Sequence, residues 1–350
     1  MGIACEINLN KPSDGAFRSG EVVSGVIKYS MDEPTTLEKI TVSIKGDGHL
    51  RIRQRVNNKN NNTRLFRTGE VYVDTDEIIQ EGKLLIPVGT YEREFSFQLP
   101  ENIPSTFNFY HNDLSLQVIC KIKYYVRIKF DRKGLLSFAK RFRKDITVLS
   151  SIAPRLATEP VMLGKKKKLT QPFTCAPSIV DIRATIIDSV IPVGGRVELQ
   201  YEVVNDTNVT IKSVESKLVE MHAFKVGYSN NGRKLLMYED IPGSDAKTGS
   251  IKCGDSKTIP IAMDLPSNLF SIEHSNLVTR YYKILIGAKL PMPHRDAVLD
   301  IPLQIGNTVL RTDTADPPPS YWEAMGEINN DEDDEVPADV KQGRTRTVKT

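Results

Sequence analysis

The residues with the clearest chemical role lie near the end of the chain, in the sequence Pro317-Pro318-Pro319-Ser320-Tyr321. Consecutive prolines fix φ near the polyproline II value, so this segment is stiff before it contacts a partner. Its Pro-Pro-x-Tyr spacing is that of PPxY ligands of WW domains, in which a proline stacks on an aromatic ring and the tyrosine fills a second pocket. We therefore predict that Pro318, Pro319 and Tyr321 bind a WW domain. The alternative is a proline stop after the last strand, followed by an unstructured tail.

The histidines do not indicate catalysis. The chain has five of them: His49, His111, His222, His274 and His294. We find no local carboxylate or cysteine constellation around them, and the HExxH motif, a phosphate-binding glycine loop and the G-x-S-x-G sequence are absent. We predict no catalytic residue, no metal site and no cofactor. A hydrolase on a β scaffold stays open as an alternative, because residues distant in sequence can converge within hydrogen-bond distance.

The cysteines and the N-terminus bear on the cellular compartment. The four cysteines are far apart and form no CxxC pair: Cys5, Cys120, Cys175 and Cys253. They predict neither a zinc site nor a redox motif, and Cys120, on an alternating apolar face, is expected to be a buried free thiol. The N-terminus carries no secretory signal, and no run of 18 apolar residues occurs. We expect a cytoplasmic protein.

Two segments are strongly basic. Residues 127–144 carry eight lysines and arginines against one acid: Arg127, Lys129, Arg132, Lys133, Lys140, Arg141, Arg143 and Lys144. Residues 45–67 carry seven against one. Such clusters attract anionic lipid headgroups or phosphorylated tails, at about 1 kcal/mol per residue near an anionic membrane. We predict a membrane or phosphate contact by the eight residues; the alternative is an ordinary solvated sheet face. Nucleic acid is not an expected partner, because no recognised binding module is visible.

Apolar residues alternate with polar ones through most of the chain. The longest case runs from Leu116 to Phe130 and places every even-numbered residue on one face. Such alternation predicts strands with one buried face, as in antiparallel sandwiches. Turn-forming residues separate the runs, among them Gly46-Asp47-Gly48. Many short strands at about 8–12-residue spacing predict an all-β fold.

One segment is ambiguous. Residues 135–142 could form two helical turns or a hairpin loop, and Phe138 and Phe142 among the charges would suit a loop that touches a membrane.

The two halves of the chain echo each other. Three short sequences recur in the same order at offsets of 175, 166 and 157 residues, which predicts a duplicated β-sandwich. Between 149 and 176 the alternation lapses, and prolines with a run of lysines indicate a linker. We predict one sandwich at 1–152, a linker at 153–172, a second sandwich at 173–308 and a short disordered tail at 309–350 that contains the PPxY motif.

Three further sequences occur in a recognisable order. They are Gly20-Glu21-Val22-Val23-Ser24-Gly25, Ile301-Pro302-Leu303-Gln304-Ile305-Gly306 and the tail sequence PPPSYWEAM at 317–325. Together, on a duplicated sandwich, they resemble the α-arrestins, or arrestin domain-containing proteins. The tail departs from the family in two ways: it has one PPxY motif where many members have two, and Trp322 follows the tyrosine where acidic residues are usual. The charged polar core of visual arrestins is not identifiable, so we do not expect phosphate-triggered activation of that kind.

The resemblance implies an arrestin N-terminal-like sandwich at 1–152 and an arrestin C-terminal-like sandwich at 173–308. It implies a non-enzymatic trafficking adaptor that binds a membrane receptor or transporter as cargo and recruits a WW-domain HECT ubiquitin ligase through the PPxY motif. Cargo is then ubiquitinated, internalised and sorted, so recruitment to the plasma membrane and endosomes is expected.

Two other classes of binding protein stay open. A retromer-type coat subunit shares the arrestin fold and acts in endosomal transport without ligase recruitment. A secreted or surface adhesion protein would be supported by glycosylation at Asn61, Asn205 or Asn208, which stand in Asn-x-Ser/Thr patterns.

Overall fold

The computed structural model describes residues 2–57, 62–132, 139–169, 178–226, 233–308 and 346–347. In these residues every regular element is a β-strand, and no helix occurs. The strands, in chain order, are β1 Ile3–Leu9, β2 Ala16–Arg18, β3 Val22–Met31, β4 Thr35–Asn57, β5 Asn62–Ile86, β6 Gly89–Gln98, β7 Phe107–Asn112, β8 Leu116–Asp131, β9 Lys140–Leu149, β10 Val161–Lys168, β11 Ile179–Ile186, β12 Val190–Ile191, β13 Arg196–Asp206, β14 Ser213–Val226, β15 Arg233–Asp240, β16 Ala246–Lys247, β17 Ser256–Asp264, β18 Val278–Lys289, β19 Ala297–Ile305 and β20 Arg346–Thr347.

The chain divides into two units. Unit 1 contains Met1–Ser151 together with Ile272–Val278, and unit 2 contains Ile152–Ser271 together with Thr279–Thr350. The prediction of an all-β fold with two tandem sandwiches is confirmed.

Unit 1 has a three-stranded sheet in the order β1-β3-β6 and a six-stranded sheet in the order β2-β9-β8-β4-β5, with β7 beside β8. The even-numbered side chains of β8 are all buried, as the alternation predicts. Burying an aliphatic side chain of this kind contributes about 1.5–3 kcal/mol. Cys120 is a buried free thiol, also as predicted, and burial raises its pKa to about 12.

The predicted turn at 46–48 was wrong, because β4 runs through these residues from Thr35 to Asn57. The glycines serve close packing instead. A Cβ on Gly46 would overlap the ring of Tyr124, and a Cβ on Gly48 would lie 2.6 Å from Leu277 Cδ1 and 2.8 Å from Tyr72 Oη. An isolated glycine within a strand often marks such a close approach or a bulge, and the register between β4 and β5 shifts at this point.

A segment from the second half of the chain, Ile272–Val278, is part of unit 1. The carboxylate of Glu70 on β5 accepts hydrogen bonds from the backbone N and Nδ2 of Asn276, at 2.8 and 2.7 Å. Tyr72 Oη and Ser275 Oγ are 2.8 Å apart. Burial raises the pKa of Tyr72 well above its ordinary value, although the hydrogen bond with Ser275 acts in the opposite direction.

Unit 2 also has two sheets: a four-stranded one in the order β10-β11-β13-β17, and a larger one in the order β12-β19-β18-β14-β15-β20, with β16 beside β14. Its core is formed by the alternating apolar residues of both sheets, including Val180, Ile182 and Tyr201 from the first and Tyr282, Ile284 and Ile301 from the second. The sequence alternation predicted these faces.

Part of the predicted linker forms a strand. Residues Val161–Lys168 are β10, paired antiparallel with β11. Val161 and Leu163 pack against the core of unit 2, which explains why this lysine-rich segment is ordered. Lysines are common on edge strands, where they discourage pairing with another chain.

Two other segments also differ from the sequence predictions. Residues 140–142 belong to β9, so they are not helical, while residues 135–138 of the ambiguous segment lie outside the described residues. In the predicted disordered tail, Arg346–Thr347 form β20 beside β15. The rest of the tail lies outside the described residues.

Candidate functional site

The tail motif cannot be placed in the structure. Pro318, Pro319 and Tyr321 lie outside the described residues, so their role as WW-domain ligands stays a prediction. The basic residues, the second candidate site, are largely described. Most of them lie on the six-stranded sheet of unit 1.

The sheet face that points away from the buried side chains of β8 carries these charges; we call it the outer face. Residues directly opposite each other on antiparallel strands share a face. Arg51 of β4 lies opposite Ile119 of β8 and Arg67 of β5, and Ser43 of β4 lies opposite Arg127 of β8. The outer face therefore extends continuously from the region of Arg127 to the region of Arg51.

The eight residues predicted from the sequence, here called the predicted patch, do not form one surface. Its outward-facing members are Arg127, Lys129, Arg141 and Arg143. Lys140 and Lys144 lie opposite buried residues of β8 and so belong to the other face of β9. Arg132 directly follows β8, and Lys133 lies outside the described residues.

Acidic residues accompany two of the four outward-facing members of the predicted patch. Lys129 Nζ lies 2.8 Å from Asp131 Oδ1, and Arg143 Nε lies 3.6 Å from Asp145 Oδ1. Because these two cations have an acid within ion-pair distance, the field that they present to an anionic partner is reduced.

Lys45 of β4 shows the same compensation more strongly. Its Nζ contacts Asp74 and lies 2.5 Å from Asp76, both on β5. Burial would lower the pKa of Lys45, but the hydrogen bonds and charges of these two carboxylates outweigh it and raise that pKa. Beside them, Arg127 Nη2 donates to Ser43 Oγ at 3.3 Å, and the Arg127 charge is one of the causes that lower the pKa of Asp76, after the hydrogen bond from Lys45.

The aromatic residue expected to touch a membrane has another role. Phe142 lies on β9 and packs edge-on against Phe130, with ring centroids 6.2 Å apart. Lys140 Nζ lies 5.4 Å from the Phe142 centroid. The prediction of a membrane-touching loop is therefore wrong for Phe142, and Phe138 lies outside the described residues.

The other end of the outer face carries Arg51, Arg53 and Arg55, here called the arginine ladder. These three residues alternate along β4 and are exposed. Among the residues that the structure describes, no acidic side chain forms an ion pair with them. Arg51 lies opposite Arg67, and Arg53 lies opposite the half-exposed Leu65. Like charges directly opposite each other destabilise a sheet, so the pairing of Arg51 with Arg67 does not itself stabilise unit 1.

Asp113, which lines one cavity with Arg53 and Arg55, is held by its own turn. Asp113 Oδ1 accepts hydrogen bonds from the backbone N of Ser115 and Leu116, both at 2.7 Å, and from Ser115 Oγ at 2.9 Å. Its Oδ2 lies 3.1 Å from His111 Nε2. Burial would raise the pKa of Asp113, but these hydrogen bonds outweigh it and lower the pKa to about 2.

A polar cavity of about 170 Å³ lies between the ladder and this turn. Arg53, Arg55, Asn112 and Gln117 line it, together with Leu114 and other residues of the turn. Leu114 is 92% exposed, and Tyr110 on the neighbouring strand is 62% exposed. The region therefore combines arginines that form no ion pair with a described acid, hydrogen-bond donors and exposed apolar side chains, with the Asp113 carboxylate in the same lining.

Unit 2 contains a buried ionic cluster that sequence reasoning missed. Arg280 on β18 makes two parallel hydrogen bonds to Glu220 on β14, both at 2.7 Å. His222 Nε2 lies 2.7 Å from the same carboxylate. The Arg280 guanidinium also lies over the rings of Phe270 and Tyr282, at 4.8 and 5.4 Å from their centroids. The sequence signal that could have indicated this cluster is Glu220-x-His222, because residues two apart on a strand lie on the same face.

Electrostatics hold Glu220 ionised. Burial would raise its pKa, but hydrogen bonds from His222 and Arg280 and their charges outweigh it and lower the pKa to about 2. Glu220, His222 and Glu239 have ligand atoms within 4.8 Å of one another, close enough to hold a metal ion. Arg280 already binds both oxygens of Glu220, so we assign the group as a buried ion-pair cluster.

The sequence analysis found no local carboxylate constellation around the histidines, but three of the five lie beside a carboxylate two residues away. Besides His222, His49 Nε2 lies 2.9 Å from Asp47, and His111 pairs with Asp113. The hydrolase alternative requires a histidine and a carboxylate within hydrogen-bond distance in an open cleft, but His222 is only 1% exposed. A substrate could not reach it in this arrangement.

The glycosylation sites considered for an adhesion protein differ in access. Asn205 is fully buried, and its Nδ2 donates to the carbonyl groups of Val209, Ile251 and Lys252. Asn208 is exposed, and Asn61 lies outside the described residues. Asn205 therefore has a structural role that is incompatible with a glycan in the folded protein.

Two all-β units, each with two sheets, define the class of protein to which the chain belongs: a tandem β-sandwich protein. In its described part we find no helix with the length and hydropathy needed to cross a bilayer. Residues 5–153 match the family model of the arrestin (or S-antigen) N-terminal domain, and residues 176–309 match that of the arrestin (or S-antigen) C-terminal domain. The chain belongs to the arrestin-domain family, as the sequence resemblance implied. No curated protein matched the chain.

Proposed function

We propose that this protein is a non-enzymatic trafficking adaptor with separate cargo-binding and ligase-recruiting parts. Arrestin-domain proteins are trafficking and signalling adaptors, and both arrestin domains are present. The arrestin domains would bind a membrane receptor or transporter. The tail would bring a ubiquitin ligase, leading to cargo ubiquitination, endocytosis and endosomal sorting. The protein would work from the cytoplasm and be recruited to the plasma membrane and endosomes.

The observation that supports ligase recruitment is the PPxY sequence at 318–321, which begins nine residues after the last residue of the arrestin C-terminal match. In a PPxY ligand Pro318 and Pro319 would contact aromatic rings of a WW domain, and Tyr321 would fill the second pocket. WW domains of HECT-class ligases are the partners implied by the family resemblance. A single motif gives no avidity from paired WW contacts, so we expect the chain to bind with the affinity of one PPxY motif for one WW domain.

The test is a fluorescence titration of WW domains from HECT ligases against the full-length chain. Micromolar binding is expected for the native protein, together with its loss in the Tyr321→Ala variant. Ser320→Ala is the matched control, since Ser320 occupies the variable position of the motif. The melting temperature should stay the same in both variants, because residues 320 and 321 follow the arrestin match.

The opposite outcome favours a second function. If no WW domain binds, or if Tyr321→Ala binds as well as the native chain, ligase recruitment is refuted. A retromer-type coat subunit would then be the better proposal, and it would be tested by stable co-purification with coat partners.

We also propose that the basic surface of unit 1 assists membrane recruitment. The outward-facing members of the predicted patch and the arginine ladder lie on one sheet face. Each basic residue near an anionic membrane is worth about 1 kcal/mol. An adaptor for membrane cargo would gain residence time at the bilayer from such a surface.

A further inference from the structure

We propose that the arginine ladder, Arg51, Arg53 and Arg55, docks on the headgroups of an anionic bilayer, with Leu114 entering the interface beside it. The inference rests on the proposed adaptor function, because it names the surface by which that adaptor would reach the membrane. It also differs from the sequence-based prediction, which assigned the contact to residues 127–144.

Charge compensation distinguishes the ladder from several other cations of the outer face. Lys45, Lys129 and Arg143 have acids within ion-pair distance, whereas the three ladder arginines form no ion pair with a described acid. Side chains two residues apart on one strand recur about every 6.5–7 Å. The ladder therefore presents three regularly spaced guanidinium groups, which hydrogen-bond well to phosphate and carboxylate.

Sheet register adds a second argument. Arg51 faces Arg67 directly across β4 and β5, an arrangement that weakens strand pairing. Bound phosphate or carboxylate groups would reduce the repulsion between these two guanidinium groups.

Exposed apolar side chains favour a bilayer over a phosphorylated peptide as the anion. Leu114 is 92% exposed at the tip of the turn between β7 and β8, and Leu65 and Tyr110 are half or more exposed on the same face as the ladder. Interfacial membrane contacts combine basic residues with apolar side chains that enter the headgroup region. A phosphopeptide would use the charge but leaves the exposure of Leu114 unexplained.

The experiment is co-sedimentation of the full-length chain with vesicles. Two compositions are compared: phosphatidylcholine alone, and phosphatidylcholine with phosphatidylserine at roughly two to one, which carries the negative surface potential that attracts basic residues. The native chain should bind the anionic vesicles and not the neutral ones. Replacing Arg51, Arg53 and Arg55 with glutamine should weaken binding at least tenfold, given about fivefold per residue. Leu114→Ser should weaken it about threefold to tenfold.

The matched control removes the same number of charges from the predicted patch. Arg141, Arg143 and Lys144 are all exposed on β9. Because Arg143 lies beside Asp145 and Lys144 belongs to the other face of the strand, their replacement with glutamine should weaken binding less than replacement of the ladder. Equal losses in the two triple variants would overturn the inference, since net charge alone would then explain binding. Circular dichroism and the melting temperature establish that each variant is folded.

Two more arms separate the alternatives. Ladder-dependent binding of a phosphoserine peptide, with no binding of anionic vesicles, would overturn the lipid assignment in favour of a phosphorylated tail. Titration with a WW domain should give the same affinity for the ladder variant as for the native chain. The vesicle experiment tests the ladder inference. The WW-domain titration and the Tyr321→Ala variant test ligase recruitment, so the failure of one proposal can be told from the failure of the other.

Discussion

The two ends of one sheet face in unit 1 use the same residue types differently. Near Lys45 and Lys129, cations lie against carboxylates of Asp76 and Asp131, at 2.5 and 2.8 Å. Near Arg51 and Arg53, the neighbours across the sheet are arginine, leucine, isoleucine and glutamine. The first arrangement uses positive charge inside the protein, and the second leaves it available to a partner. A count of basic residues does not distinguish them; their neighbours on adjacent strands do.

Arg280 in unit 2 extends this comparison to full burial. Its guanidinium is bound by Glu220 and covered by aromatic rings. Three degrees of compensation result: complete for Arg280, partial for the predicted patch, and none found for the ladder among the described residues. The expected effect of mutation on stability falls along this series, while the expected effect on anion binding rises.

The largest stability effect is expected from Arg280→Met. Loss of the guanidinium leaves the Glu220 carboxylate buried with only His222 at 2.7 Å beside it, and breaking a buried pair in this way costs about 3–5 kcal/mol. Urea denaturation followed by circular dichroism measures the loss. The matched control is Arg196→Met, which removes a half-exposed arginine of the same unit and should cost about 1 kcal/mol or less.

The double variant Glu220→Met/Arg280→Met sharpens the same test. Replacing both partners of a buried pair with apolar residues is often close to neutral, so the double variant should regain much of the stability lost in Arg280→Met. A double variant less stable than Arg280→Met would contradict the assignment of the two side chains as a compensated pair.

The same ion pair should also make the stability of the protein depend on pH, with a smaller effect than the loss of Arg280. The folded-state pKa of Glu220 is about 2, below its value of 4.5 in the unfolded chain. Its stabilisation is therefore fully present above about pH 4.5 and is lost as the pH falls towards 2. The free energy of unfolding, measured in urea across this range, should fall more steeply for the native chain than for Glu220→Gln.

Glu198→Gln is the control for this titration, because Glu198 is half exposed and pairs with the exposed Arg196. Its slope with pH should match that of the native chain. Equal slopes for Glu220→Gln and the native chain would show that Glu220 does not carry the acid sensitivity.

The fold could be predicted from the sequence wherever one face of a strand is buried. The alternation from Leu116 to Phe130 gave both the strand and its buried face, since side chains along a strand alternate between faces. Gly46 and Gly48 misled because glycine also permits close packing, here against rings that come from distant parts of the sequence. The strand β10 was missed because its lysines resemble a linker when the strand it pairs with is unknown.

The candidate site was less predictable, because compensation depends on strand register. Asp74 and Asp76 are about thirty residues from Lys45 in sequence. On the neighbouring strand, however, Asp74 lies directly opposite Lys45, and Asp76 lies opposite Ser43. No local count of charges could include them. The spacing of Arg51, Arg53 and Arg55 was visible in the sequence, whereas the non-acidic residues opposite Arg51 and Arg53 on β5 and β8 became visible only with the strand order and register.

The smallest effect on stability is expected from Gln117→Glu, which places a carboxylate opposite an arginine of the ladder. Gln117 lies directly opposite Arg53, and an opposite-charge pair at such a position contributes about 0.2–1 kcal/mol. The variant should therefore be as stable as the native chain or slightly more stable in urea. It should also bind anionic vesicles about fivefold more weakly, because one guanidinium is neutralised. Gln200→Glu, an exposed change on β13 with the same net charge, should leave vesicle binding nearly unchanged. If the two variants bind alike, the comparison between the ends of the sheet face fails, because position would then matter less than total charge.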